Sequence, residues 1–180
     1  MAISSFVVPA ALLALAAAPS PPSAEVRERV RALLLSIDRP ASPEAIRAAG
    51  PGAEDVVAEI ALSREMPARR ARALEVLERL RNPRAEEIHR AVAADSAAPR
   101  TVRDGAIRGL ARIVPPARAA AELRPHLEHD PDATIRAAAA EAIAARDPSG
   151  SCPLVRAQAA REPGAARPLF DRAIAACDGR

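Results

Sequence analysis

Residues 83–114, PRAEEIHRAVAADSAAPRTVRDGAIRGLARIV, and residues 115–147, PPARAAAELRPHLEHDPDATIRAAAAEAIAARD, decide the fold. Each stretch opens on a proline and carries another near its middle, and both series extend along the chain. Pro51, Pro83, Pro115 and, one residue late, Pro148 form one series; Pro67, Pro99, Pro131 and Pro163 form the other, with a period of 32 residues. Between the prolines the apolar residues keep helical spacing, so the period belongs to a helix–turn–helix unit stacked on copies of itself. Proline suits the first position of a helix, where its missing N–H is no loss, and breaks an interior, so each is expected to open a helix. The chain therefore reads as an all-α solenoid of antiparallel helix pairs, with units at 51–82, 83–114, 115–147 and 148–179.

The second helices of these units share a pattern: an arginine, a small residue three positions on, and a larger apolar residue four beyond that. It runs Arg70, Ala73, Leu77; Arg103, Ala106, Leu110; Arg136, Ala139, Ile143; and, loosely, Arg167, Phe170, Ile174. Residues four apart share one face of a helix; the small one lets a neighbouring helix approach and the larger fills the groove between them. In PRTVRDGAIRGLARI (99–113) and DPDATIRAAAAEAIAAR (130–146) the pattern resembles HEAT repeats, the latter with the aspartate before proline and the apolar–Arg pair of that family. The first and fourth units depart from it, with Arg69 in place of the usual apolar residue and Pro168 directly after Arg167. The resemblance implies a helical scaffold that works without catalysis.

The N-terminal part divides in two. Residues 19–50 span one further period: Ser23 caps a helix through Val26, Val30, Leu33, Leu34 and Ile37, and Ser42-Pro43 starts a short second helix that Gly50 ends. This reads as a degenerate capping repeat, since a terminal unit has a neighbour on one side only. Residues 1–18, MAISSFVVPAALLALAAA, carry no charged side chain and form an apolar run bordered by small residues, as an export signal does. The expected location is periplasmic or secreted; an uncleaved membrane anchor and an apolar first helix of a cytoplasmic protein are the alternatives.

Cys152 opens the first helix of the last unit and Cys177 closes the second, and in an antiparallel pair those ends adjoin. Two readings stand: a disulfide closing a loop of about 25 residues, worth about 3 kcal/mol on the chain-entropy model, or two separate buried thiols in an Ala-rich core. The apolar leader favours the first.

Composition excludes several function classes. Of 180 residues only Phe6 and Phe170 are aromatic, and all 26 basic residues are arginine, against 23 acidic ones. Opposite charges alternate, as in EVRERVR (25–31) and EVLERLR (75–81), the mark of a solvated, ion-paired face. A nucleic-acid binder would segregate its basic residues, and a single-strand binder would add aromatic platforms. Neither is present, so a protein partner of unknown identity is expected, and no membrane contact unless the leader stays uncleaved.

The one candidate surface is the row Arg70, Arg103, Arg136 and Arg167, which stacking aligns along one ridge. In one reading each arginine bonds the adjacent repeat; in the other the row, with Arg69, Arg100 and Arg108, grips carboxylates or phosphates of a partner. His126 and His129 stand three apart, a spacing open to a metal, but no third ligand lies nearby and an exposed pair is expected. His89, in EEIHR, is expected on a solvated face. No phosphate-binding glycine loop, nucleophile elbow or cofactor site can be assigned. The expectation is a non-catalytic interaction module. Two alternatives remain: an intracellular adaptor that binds acidic partners through the arginine row, and a lyase, since the chain resembles bilin lyases loosely at fold level.

Overall fold

The computed structural model describes residues 21–36, 41–148 and 150–179, and among these all regular structure is helical. The apolar leader, Ile37 of the capping repeat and Ser149 lie outside the described residues. The elements are α1 (Ala24–Leu35), α2 (Pro43–Ala48), α3 (Ala53–Leu62), α4 (Pro67–Leu80), α5 (Ala85–Ala94), α6 (Arg100–Ile113), α7 (Pro116–His129), α8 (Ala133–Arg146), α9 (Cys152–Arg161), a 3-10 turn at Arg167–Phe170, and α10 (Asp171–Cys177). They pair in chain order, α3 with α4, α5 with α6, α7 with α8, and α9 with the 3-10 turn and α10.

Local chemistry explains where the helices start. The Ser23 hydroxyl accepts from the Val26 N–H at 3.3 Å, Ser42 from Ala45 at 3.1 Å and Asp132 from Thr134 at 2.8 Å, each satisfying an orphan donor of a first turn. The periodic prolines do not all occupy the first helical position. Pro67 does, but Pro99 and Pro115 are the caps before α6 and α7, and Pro51, Pro83 and Pro131 lie one residue further out in the turns. Proline bars its predecessor from helical geometry, so it stops the incoming helix and sets the turn as readily as it opens the next helix. Pro125 is tolerated inside α7.

The second helices form a continuous row, α4 on α6, α6 on α8 and α8 on α10. Their facing positions are the small and large residues of the repeat: Ala73, Ala106, Ala139, Leu77, Leu110 and Ile143 are all fully buried. Alanine at the contact brings helix axes close, and the branched residues fill what remains. The first helices α1, α3 and α5 also pack in series, but α5 and α7 stand further apart. Exposed ion pairs span that gap, Arg90 to Glu122 at 3.1 Å and Arg118 to Glu86 at 2.7 Å. The second helices thus form the tightly packed layer and the first helices the looser one.

Candidate functional site: the arginine ladder and its carboxylates

Three of the four ladder arginines face inward, at the joints between units. Arg70 Nε donates to the Ala61 carbonyl at 3.2 Å and Arg103 Nε to the Ala93 carbonyl at 3.0 Å, each near the C-terminal end of its own unit's first helix. Those carbonyls lack an intrahelical donor, so the guanidinium supplies one. Arg136 does the same with Nη1, to the Asp130 carbonyl at 2.7 Å. Arg103 then reaches the following unit, where both its Nη atoms meet the Asp130 carboxylate, and Arg136 does so to Glu162, Nε to Oε1 at 2.7 Å. The two carboxylates are 4% and 1% exposed, so these are buried, hydrogen-bonded pairs.

The receiving carboxylates occupy equivalent places. Asp95, Asp130 and Glu162 are the C-cap residues of α5, α7 and α9. A carboxylate at a helix C-terminus is disfavoured by the helix dipole, and the arginine from the preceding unit compensates it. The hydrogen bond from Arg136 lowers the Glu162 pKa against the effect of burial. Burial lowers the Arg70 pKa, and the field of Asp95 opposes it, while Asp95 itself pairs with Arg64 at 3.7 Å. The recurrence of an acidic residue after each ladder arginine, Asp95, Asp130 and Glu162, is the signal in the sequence that reveals this clasp; the arginines alone do not show which side of the helix they serve.

Arg167 departs from the ladder. It is exposed, in the 3-10 turn that Pro168 imposes, and no carboxylate among the described residues pairs with it. Arg69, Arg100 and Arg108 are also engaged: Arg69 pairs with Glu65, Arg100 with Asp132 at 2.6 Å, and Arg108 with both Asp104 and Glu141. Burial would raise the Glu65 pKa, but the hydrogen bonds from Arg69 and Arg31 outweigh it and hold the pKa below its ordinary value.

The histidines also differ from expectation. His89 is fully buried rather than solvated: its Nδ1–H donates to the Ala85 carbonyl at 2.7 Å, its Nε2 has no partner, and burial lowers its pKa. The ring fits because Gly109 of α6 presents no side chain; a Cβ there would stand 2.4 Å from it. His126 and His129 are not an exposed pair either. The His126 side chain is 13% exposed, with Nδ1 3.8 Å from Asp130, while that of His129 is 79% exposed. Among the described residues no group of three or more His, Cys, Asp or Glu side chains converges as metal ligands would. Cys152 and Cys177 sit at the adjoining ends of α9 and α10, Sγ atoms 1.99 Å and Cα atoms 5.5 Å apart, a disulfide pair.

A family model described as HEAT repeats matches residues 53–144, half of the chain and all of α3 to α7 with most of α8. The chain belongs to the HEAT-repeat family. No curated protein and no solved structure matches it. HEAT repeats suggest a protein-interaction scaffold, and the ladder is the device that joins one HEAT unit of this chain to the next.

Proposed function

We propose that this HEAT-repeat protein is a non-catalytic scaffold for protein interaction that works after export, in the periplasm or outside the cell. The observation that carries the reading is the direction of the ladder: Arg70, Arg103 and Arg136 are used up inside the stack, so its chemistry is spent on joining the units rather than on a reaction centre. Stacked repeats present an extended surface that serves a partner. Export is supported by the apolar leader at 1–18 and by the cysteines set at bonding distance, since disulfides persist in oxidising compartments.

Protein recovered from its source cells tests both halves. Mass spectrometry of the N-terminus is expected to find the leader removed, and thiol alkylation under denaturing conditions to label neither cysteine. An intact N-terminus with two labelled cysteines would refute export. Cross-linking in the same compartment is expected to yield a protein partner in fixed stoichiometry, and its absence would remove the scaffold reading.

A further inference from the structure

Of the buried residues of α5, only His89 can take up a charge. A carbonyl can only accept, so the bond to Ala85 places the ring proton on Nδ1 and leaves the lone pair on Nε2. That nitrogen is buried without a partner, in the edge of the ring that abuts Gly109 of α6, where a Cβ would stand 2.4 Å from it. An unpaired acceptor is tolerable there. A second proton would turn Nε2 into a charged donor with nothing to receive it, so the closed contact of α5 with α6 holds the neutral ring only.

Two charged groups reach the ring with their fields, Glu78 of α4 and Arg112 of α6, and these are bound to each other at 2.7 and 2.9 Å, so they oppose one another at His89. Burial is the larger influence. The other charges on the packed helices are engaged or exposed. On α5, Glu86 and Arg90 pair with each other and with Arg118 and Glu122 of α7, and Glu87 is exposed. On α4, Glu75 pairs with Arg72 and Arg79, and on α6 Asp104 pairs with Arg108. On α3, Glu54 pairs with Arg47, Glu59 with Arg27, and Asp55 is exposed.

Helix α5 is also lightly held. Its C-cap Asp95 has its ion pair with the exposed Arg64, at 3.7 Å, where Asp130 and Glu162 are clasped in buried pairs by Arg103 and Arg136. Its start has no side-chain cap. Arg103 holds the far end through the Ala93 carbonyl, so the earlier turns, which carry His89, are the part free to lift.

We propose that His89 is an acid-sensitive latch on this HEAT unit: a proton from solvent is accommodated on Nε2 only when the first turns of α5 lift from α6 and give the new N–H a water to bond. In the lifted state the ring is an ordinary histidine, with a pKa of about 6.5. Lifting is therefore coupled to the uptake of one proton. The contact keeps its full strength above that pH and loses it as the pH falls, roughly tenfold for each unit until the closed ring itself charges. The latch acts in any compartment that acidifies and does not depend on the export reading.

Amide hydrogen exchange of the full protein, compared as protection factors at about pH 7.5 and about pH 5.5, tests it; carboxylates stay charged over this interval while histidines titrate. Protection is expected to fall roughly tenfold from Ile88 to Val92 and to hold in α8. His89→Asn, whose amide can still donate to the Ala85 carbonyl but takes up no proton, is expected to abolish the fall, and His126→Asn to keep it. A proton NMR titration of the native protein is expected to place the midpoint of the His89 ring below that of the exposed His129, a readout that holds even if His89→Asn does not fold. A His89 midpoint equal to that of His129, a fall retained in His89→Asn or lost in His126→Asn, or an equal loss of protection in α8 would overturn the proposal.

Discussion

At the scale of single residues, the two glycines of α6 have opposite roles four positions apart. A Cβ on Gly109 would lie 2.4 Å from the His89 ring, and the ring cannot step aside because it is fully buried and tied to the Ala85 carbonyl. A Cβ on Gly105 meets nothing within 4 Å. Alanine gains about 1 kcal/mol over glycine in a helix interior, so Gly105→Ala is expected to stabilise by about 0.5–1 kcal/mol. At Gly109 overpacking of about 1–3 kcal/mol outweighs that gain and the variant is destabilised. Urea unfolding of the two variants beside the native protein decides it, and midpoints that shift in the same direction would contradict the packing. This relation was not legible in the sequence. The acidic neighbours of His89 suggested solvent, and the space that admits its ring lies on another helix, visible only once the register of α5 against α6 is known.

At the scale of elements, the joints between helix pairs depend on the clasp. The four arginines of the ladder are equivalent in sequence but not in structure, because the carboxylate each needs belongs to the next unit. Arg103→Ala strands the Asp130 carboxylate, 4% exposed in the native joint, and is expected to cost about 3 kcal/mol or more. Arg136→Ala strands Glu162, 1% exposed, but leaves the Gln158 amide donating to it at 2.8 Å, and is expected to cost about 1–3 kcal/mol. Arg167→Ala and Arg84→Ala, both exposed, are expected to cost about 0.5 kcal/mol or less. Urea midpoints in the order Arg103→Ala lowest, then Arg136→Ala, then the two others near the native value check this. Midpoints for Arg103→Ala and Arg136→Ala that stay as near the native value as that of Arg167→Ala would mean that the joints are held by packing alone. The helices themselves were readable from apolar spacing and from caps such as Ser23 and Ser42, whereas the Asp132 cap of α8 emerged only with the structure. The proline positions were less informative than they looked, since proline defines a turn as well as a first helical residue.

At the scale of the whole molecule, the stack followed from the 32-residue period, whereas the difference between its layers did not. Helices α4, α6, α8 and α10 pack closely while exposed ion pairs bridge α5 and α7, and a period carries no information on that difference. The unit of α9 and α10 is lightly held: its second helix begins in a 3-10 turn, and Arg167 makes no ladder bond among the described residues. In a stack whose stability is a sum over repeats and their interfaces, such a unit opens before better-held ones do. The pair Cys152–Cys177 ties the start of α9 to the end of α10, and on the chain-entropy model closing that loop is worth about 3 kcal/mol. Reduction of the pair is therefore expected to speed amide hydrogen exchange in α9 and α10 by about a hundredfold, each factor of ten corresponding to about 1.4 kcal/mol. Amides of α5 to α8 are expected to keep their protection, because their neighbours remain. Uniform acceleration along the chain would instead make the solenoid one cooperative unit, and no acceleration in α9 and α10 would show that packing on α8 alone secures the terminal repeat.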